Sequence, residues 1–225
     1  MPPQKPRPTP DLTERDPRFG GLVERLADPE APTSVHGRKR VRNVHIADSL
    51  SALEVPGVRE ARRIADLGAG AGLPGLVLAI ALPEAEVVLV ESVGKKCAWM
   101  ERTVKGLGLE NVRVACARVE ELEDAPFDVV TARALGALPV VCEYAAPLLH
   151  EGGVLVAWKG AVEAEEEADG LAAAALLGLE RDAVLAVEPY PGSERRTLHV
   201  FRKIAPTPDR YPRRPGMAAK RPLRA

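Results

Sequence analysis

At 225 residues with 46% hydrophobic content, the chain can bury one core of ordinary domain size, and at 4% aromatic content that core must be built mainly from Ala, Leu and Val. No apolar run approaches the roughly 20 residues that cross a bilayer. The opening stretch MPPQKPRPTP lacks the apolar segment of a secretory signal, so a cytoplasmic, monomeric protein with no membrane partner is expected. The net charge of −1 hides an asymmetry: residues 36–45 carry +4, residues 202–225 carry +7, and the remainder carries −12. Basic flanks on an acidic body suggest a polyanionic partner, with merely solvated tails as the plain alternative. The candidate contacts are Arg38, Lys39 and Arg40 in the first flank and Arg213, Arg214 and Lys220 in the second.

Along the chain, residues 1–18 hold six prolines and read as extended or disordered. Residues 19–30 (FGGLVERLADPE) can form a short helix around Leu22 and Leu26, and 48–53 (DSLSAL) another, broken by Pro56 and Gly57. From Ile64 the pattern alternates. Strands are expected at 63–67, 86–91, 111–116, 127–132, 153–158, 183–188 and 197–203, and helices at 73–82, 94–107, 138–149 and 162–177. Alternation implies right-handed crossovers and a parallel sheet. The last two strands are joined by EPYPGSERRT, too short for a crossover helix, so they pair antiparallel. The domain reading is a proline-rich, flexible N-terminus over 1–35, a catalytic α/β domain over 36–203 and a basic tail over 204–225. Cys97, Cys116 and Cys142 form no C-x-x-C pair and read as reduced core thiols. The four scattered histidines show no ligand spacing, so no metal is expected.

The chain is organised around RIADLGAGAGLPG at 63–75. A short apolar strand containing Asp66 runs into Gly68, Gly70 and Gly72, and Pro74 stands near the first position of an apolar helix. Glycine lacks a Cβ, so a cofactor can lie directly against such a turn. Gly70, Gly72 and Gly75 also match the dinucleotide fingerprint G-x-G-x-x-G, which places a pyrophosphate on the helix N-terminus. Asp66 argues the other way, because a carboxylate there repels a pyrophosphate and suits the cationic S-adenosylmethionine. The second strand ends at Glu91, an acid placed to bind ribose hydroxyls in either class. The closing antiparallel hairpin is a second argument for the methyl donor. It is the usual sheet ending of S-adenosylmethionine-dependent methyltransferases, and nicotinamide dehydrogenases normally lack it.

Other strand ends offer Val119 and Glu120, then Arg133, a cation between two apolar runs that needs a partner. Lys159 follows the fifth strand, and His45 follows the first basic flank.

The stretches HIADSL, IADLGAGAGLPGLVLAI, VVLVESVGKKCAWM, LGLENVRVACARVEEL, FDVVTARAL, VAWKG and YPRRPGMAAKRPL, spanning about residues 45–222, resemble the glucose-inhibited division protein B family, the small-subunit ribosomal RNA guanine methyltransferases (methyltransferase G). The resemblance implies a class I S-adenosylmethionine-dependent methyltransferase fold of class α/β, a mostly parallel seven-stranded sheet with a C-terminal antiparallel hairpin. It implies methyl transfer to nitrogen-7 of a guanine in small-subunit ribosomal RNA, free or in a ribosomal particle. By position, Gly68 and Leu73 match the family's cofactor turn, Val119 and Glu120 its adenine-binding pair, Arg133 its arginine near the cofactor, and Glu91 its strand-two acid, usually Asp. The family's W-N…N-L-T segment is replaced here by SVHGRKRVRN.

Nitrogen-7 of guanine carries an in-plane lone pair and no proton, so no general base is required and no catalytic residue is singled out. The sequence offers no Ser-His-Asp, Cys-His or paired-carboxylate arrangement, in keeping with such chemistry. Three competing readings are a methyltransferase acting on another RNA, a protein or a small molecule, a non-catalytic RNA-binding α/β domain, and a nucleotide-dependent oxidoreductase.

Overall fold

A computed structural model describes residues 13, 16–124, 126–193 and 195–225. The expectation for the proline-rich start falls largely on residues 1–12, 14 and 15, which lie outside these. Helix α1 (Pro17–Ala27) opens the described chain; Asp16 caps it by accepting from the Arg18 N–H at 2.9 Å, and Pro17 takes the first turn. Phe19, Leu22, Val23 and Leu26 lie at helical spacing on its buried face. Residues 17–31, placed by the sequence in a flexible N-terminal segment, are therefore corrected: their apolar stripe, with Ala31, is part of the main core.

A continuous helical run follows: α2 (Arg38–Val41), a π-helical turn (Arg42–Ala47), α3 (Asp48–Leu50) and a 3₁₀ turn (Ser51–Glu54). The alternating part is β1 (Arg63–Leu67), α4 (Gly75–Ala81), β2 (Glu86–Glu91), α5 (Gly94–Leu107), β3 (Val112–Cys116), β4 (Phe127–Arg133), α6 (Leu138–Ala145), β5 (Leu149–Lys159), α7 (Ala164–Leu176), β6 (Leu179–Val187) and β7 (Arg196–Lys203), ending with the short α8 (Met217–Lys220).

The seven strands order as β3-β2-β1-β4-β5-β7-β6. The first five pair in parallel, and β7 runs antiparallel between β5 and β6. This is the expected α/β sheet with its closing antiparallel hairpin. Strand alternation divides the core. Ile64, Val87, Leu89, Val129 and Val156 face α1, the 38–54 run, α4 and α5. Leu67, Val88, Val90, Val130 and Leu155 face α6, α7 and the C-terminal tail. A fully buried leucine such as Leu67, Leu76 or Leu89 contributes about 2–3 kcal/mol through the apolar surface it removes from water.

The cysteine reading is corrected at one point. Cys97, at the start of α5, and Cys116, at the end of β3, form a disulfide with Cα atoms 5.8 Å apart. Parallel pairing of β2 and β3 sets Cys116 beside Glu91, a contact that spacing along the chain could not reveal. Cys142 is the expected buried thiol, and burial pushes its pKa up to about 12.

Candidate active site

Strand order reverses direction between β1 and β4, and an open α/β sheet leaves its crevice at such a switch point, beyond the strands' carboxyl ends. A cleft of about 540 Å³ lies there, within the range of small-molecule sites. Of the residues singled out in the sequence, Gly68, Gly70, Leu73, Arg133, Lys159 and His45 line it.

One wall is the glycine turn. Gly68, Gly70 and Gly72 have φ of 65°, 61° and 81°, the left-handed region that glycine occupies without penalty. A Cβ on Gly70 would point into open space, its nearest atom being Gly68 O at 3.8 Å. The backbone there is bare toward the cleft, as a ligand lying against it requires. A Cβ on Gly75 would instead come within 2.2 Å of Leu89 Cδ2 and 2.9 Å of Asp66 Oδ2. Its absence lets the start of α4 settle onto Asp66.

That contact changes the role expected of Asp66. Its side chain is fully buried and does not line the cleft, so it cannot meet a ligand's cation directly. Oδ2 accepts from the Gly75 N–H at 2.8 Å and Oδ1 from the Thr131 hydroxyl at 3.0 Å. Burial, partly offset by these hydrogen bonds, raises its pKa to about 7. The N–H groups of Ala69, Gly72, Leu73, Leu76 and Val77 all bond to backbone carbonyls, and Gly70 N–H bonds to Glu91. A pyrophosphate at this helix N-terminus would need those donors free. Asp66 thus argues against a dinucleotide by occupying the helix end.

Glu91 lies buried behind the same wall and is not itself among the residues lining the cleft. Its Oε2 accepts from Gly70 N–H at 3.1 Å, its Oε1 from Val93 N–H at 2.9 Å, and Lys96 Nζ stands 3.4 Å from Oε2. A carboxylate has about four acceptor sites, so capacity remains for ribose hydroxyls. Val119 and Glu120 sit in a 3₁₀ turn after β3 and are not among the residues lining this cleft. Glu120 Oε1 accepts from the Tyr144 hydroxyl at 3.1 Å and from the Gly216 N–H at 2.7 Å, so it ties the C-terminal tail to α6.

The opposite wall is built by one carboxylate that the sequence did not single out. Asp48 is fully buried and accepts from Arg133 Nη1 at 2.9 Å and from Arg196 Nε at 2.8 Å, while its backbone carbonyl accepts from Trp158 Nε1 at 3.0 Å. Arg133 therefore finds the partner its apolar setting demanded. Arg196, Trp158 and Lys96 also line the cleft, and sequence pattern alone marks none of them. The available signal was Asp48 itself, an acid in a short helical segment flanked by the apolar Ile46 and Leu50. His45 lies on the π-helical turn, its Nε2 2.8 Å from Thr33 Oγ1. Burial and the nearby Arg133 charge lower its pKa to about 4, so it is neutral at neutral pH. Lys159 donates to Gly136 O at 2.8 Å and to Glu166 Oε1 at 2.5 Å.

The basic flanks divide. Arg38 pairs with Glu24 at 2.7 Å on the surface, and Arg213 is held by the buried Glu143 through Nη2 at 2.6 Å and Nε at 2.9 Å. Lys39, Arg40, Arg214 and Lys220 are exposed and form no ion pair among the described residues. Those residues contain no cluster of His, Cys, Asp and Glu able to hold a metal, and no helix long and apolar enough to cross a membrane.

Comparison with known proteins places this arrangement. A family model described as GidB, rRNA small subunit methyltransferase G, matches residues 27–195. A protein named ribosomal RNA small subunit methyltransferase G from Rubrobacter xylanophilus is 47% identical over 188 residues, covering 80% of this chain and 72% of that one. One of the same name from Deinococcus deserti is 37% identical over 214 residues, covering 92% and 88%. Among solved structures, a mutant of MtNAS in complex with S-adenosylmethionine superposes with a TM-score of 0.56 at 16% identity, covering 86% of this chain and 77% of that one, a likeness of fold. The fold is that of class I S-adenosylmethionine-dependent methyltransferases, and the chain belongs to the ribosomal RNA small subunit methyltransferase G family.

Proposed function

We propose that the chain transfers a methyl group from S-adenosylmethionine to ribosomal RNA of the small subunit, at nitrogen-7 of one guanine. The observation that carries the reading is the switch-point cleft in a chain of this family: its glycine turn is bare toward the cleft at Gly70, and the helix N–H that a pyrophosphate would use is held by Asp66. Gly68, Gly70 and Leu73 would hold the cofactor's amino-acid part, and Glu91, bonded to the Gly70 N–H behind them, would take its ribose. Val119 and Glu120 would flank the adenine, which makes the tail that grips Glu120 a brace for that end. The cofactor supplies a methyl already activated on its sulfonium.

The chain's own residues orient the reactants and exclude other partners. Arg133 and Arg196 are locked on Asp48, and Lys159 on Glu166, so these three cations facing the cleft arrive fixed and partly neutralised. Such fixed donors can engage phosphate or guanine oxygens without reorganising. Neutral His45 adds a polar group with no positive charge to oppose the cationic product. The exposed Lys39, Arg40, Arg214 and Lys220 would meet phosphates of the RNA or particle and set its position without reading sequence.

Mass-spectrometric mapping of modified guanines in small-subunit ribosomal RNA from cells lacking this protein tests the reading. One N7-methylguanine should disappear and return on complementation. An unchanged map would overturn it.

A further inference from the structure

A second pocket, of about 580 Å³, lies on the other side of the start of β7. Gly160 lines both pockets, and the strand alternates between them: Arg196 faces the first cleft, Thr197 and His199 the second. This second pocket is not needed for holding a methyl donor against the glycine turn.

Its contents point to a ligand. His199 is 4% exposed, and its Nδ1 is buried with no hydrogen-bond partner. A buried polar atom left unpaired costs about 1–3 kcal/mol; His36, His45 and Ser49 hold others, and His199 is the one of the four that lines this pocket. At the rim, Arg181 pairs with Glu167, and the exposed Arg195 forms no ion pair among the described residues. Arg195 has a φ of 65°, a conformation costly for a residue with a side chain. Val184, 43% exposed on β6, supplies an apolar wall. An imidazole that can donate or accept, two guanidinium groups and an apolar wall match the edge, phosphate and face of one ribonucleotide.

Resting on the reading that the substrate is ribosomal RNA, we propose that this pocket holds a nucleotide neighbouring the methylated one, with its phosphate on Arg195 and Arg181 and its base edge on His199. RNA would straddle the start of β7. The shared wall at Gly160 then sets the distance between the methylated base and the one that is recognised. Specificity would rest on this neighbour as well as on the guanine itself.

The test uses the full chain and small-subunit ribosomal particles. Arg195→Asn keeps a residue that tolerates positive φ. Combined with Arg181→Gln, it removes the two cations from the surface with the core untouched. The KM for particles should rise at least about tenfold, as expected when two charge-assisted contacts are lost, while kcat and the affinity for S-adenosylmethionine measured by calorimetry stay within twofold. RNA carrying a photoreactive base next to the target should crosslink to the peptide 179–199 in the wild type and lose that crosslink in the double variant. An unchanged KM, or a crosslink that maps elsewhere, overturns the proposal. A wild type that binds S-adenosylmethionine yet methylates no ribosomal RNA sinks the substrate reading, and the pocket assignment with it.

Discussion

The two walls of the cleft are built by opposite means. The glycine-turn wall is local: Asp66 reaches Gly75 nine residues on, and Glu91 reaches Gly70 across 21 residues, both through backbone N–H groups. The opposite wall is assembled across the fold. Asp48 meets Arg133 at a separation of 85 residues and Arg196 at 148, entirely through side chains. The first wall is specified by backbone shape and tolerates nothing larger than hydrogen at a few positions. The second depends on charge balance in a buried place, where removing one partner strands the others.

The difference can be broken from either side. The largest effect is expected at Gly70→Val. The new side chain fills ligand space, so calorimetry should detect no S-adenosylmethionine binding, while the left-handed backbone lowers stability by only about 1–2 kcal/mol. Retained affinity would show that the turn does not touch the ligand. NAD should give no heat with the wild type, because the helix N–H that it would need is taken.

Asp48→Ala attacks the other wall. It leaves Arg133 and Arg196 partly buried without their carboxylate, and denaturant unfolding should show a loss of about 3–5 kcal/mol. Arg133→Ala should cost less, about 1–3 kcal/mol, because Asp48 keeps Arg196, yet methyl transfer should fall about a hundredfold as the cleft loses its fixed donor. Equal stability losses in the two variants would mean that Arg196 does not share the load.

Asp66 gives a pH signature. Its pKa is raised to about 7 in the fold, so between the ordinary carboxylate range and about 7 the folded protein keeps a proton that the unfolded chain releases. Its contribution to stability is full below the ordinary carboxylate range and is lost as pH rises from there through about 7. Asp66→Asn should remove that decline, by an amount on the order of a few kcal/mol between about pH 4 and pH 7. Identical pH profiles for the two proteins would show that Asp66 is ionised throughout.

The smallest effect belongs to the flanks. Arg38 and Arg213 already have carboxylate partners. Neutralising Arg38, Lys39 and Arg40 together, or Arg213, Arg214 and Lys220 together, should remove two free cations each. The log–log salt slope of RNA binding should then drop by about 1.4, at roughly 0.7 per phosphate for single strands. A drop nearer 2 would mean that the paired arginines leave their partners for RNA, and no drop would mean that both flanks are merely solvated.

Much of this protein was legible in its amino-acid order. The order and type of the strands and helices from 63 onward follow from periodicity, although β5 and β6 begin at Leu149 and Leu179, ahead of the expected 153 and 183, and the antiparallel hairpin follows from a connection too short to cross the sheet. The glycine turn announces itself because its constraint is backbone conformation, which single residues encode. The sequence could not place β7 between β5 and β6, since strand order is chosen by which faces bury best together. Nor could it show that Asp66 caps α4, that Asp48 gathers Arg133 and Arg196, or that residues 17–27 fold onto the core. Periodicity records which side of an element is buried. Which distant charge lies opposite is decided only when the layers close, because a buried ion must find its partner wherever the packing has put it.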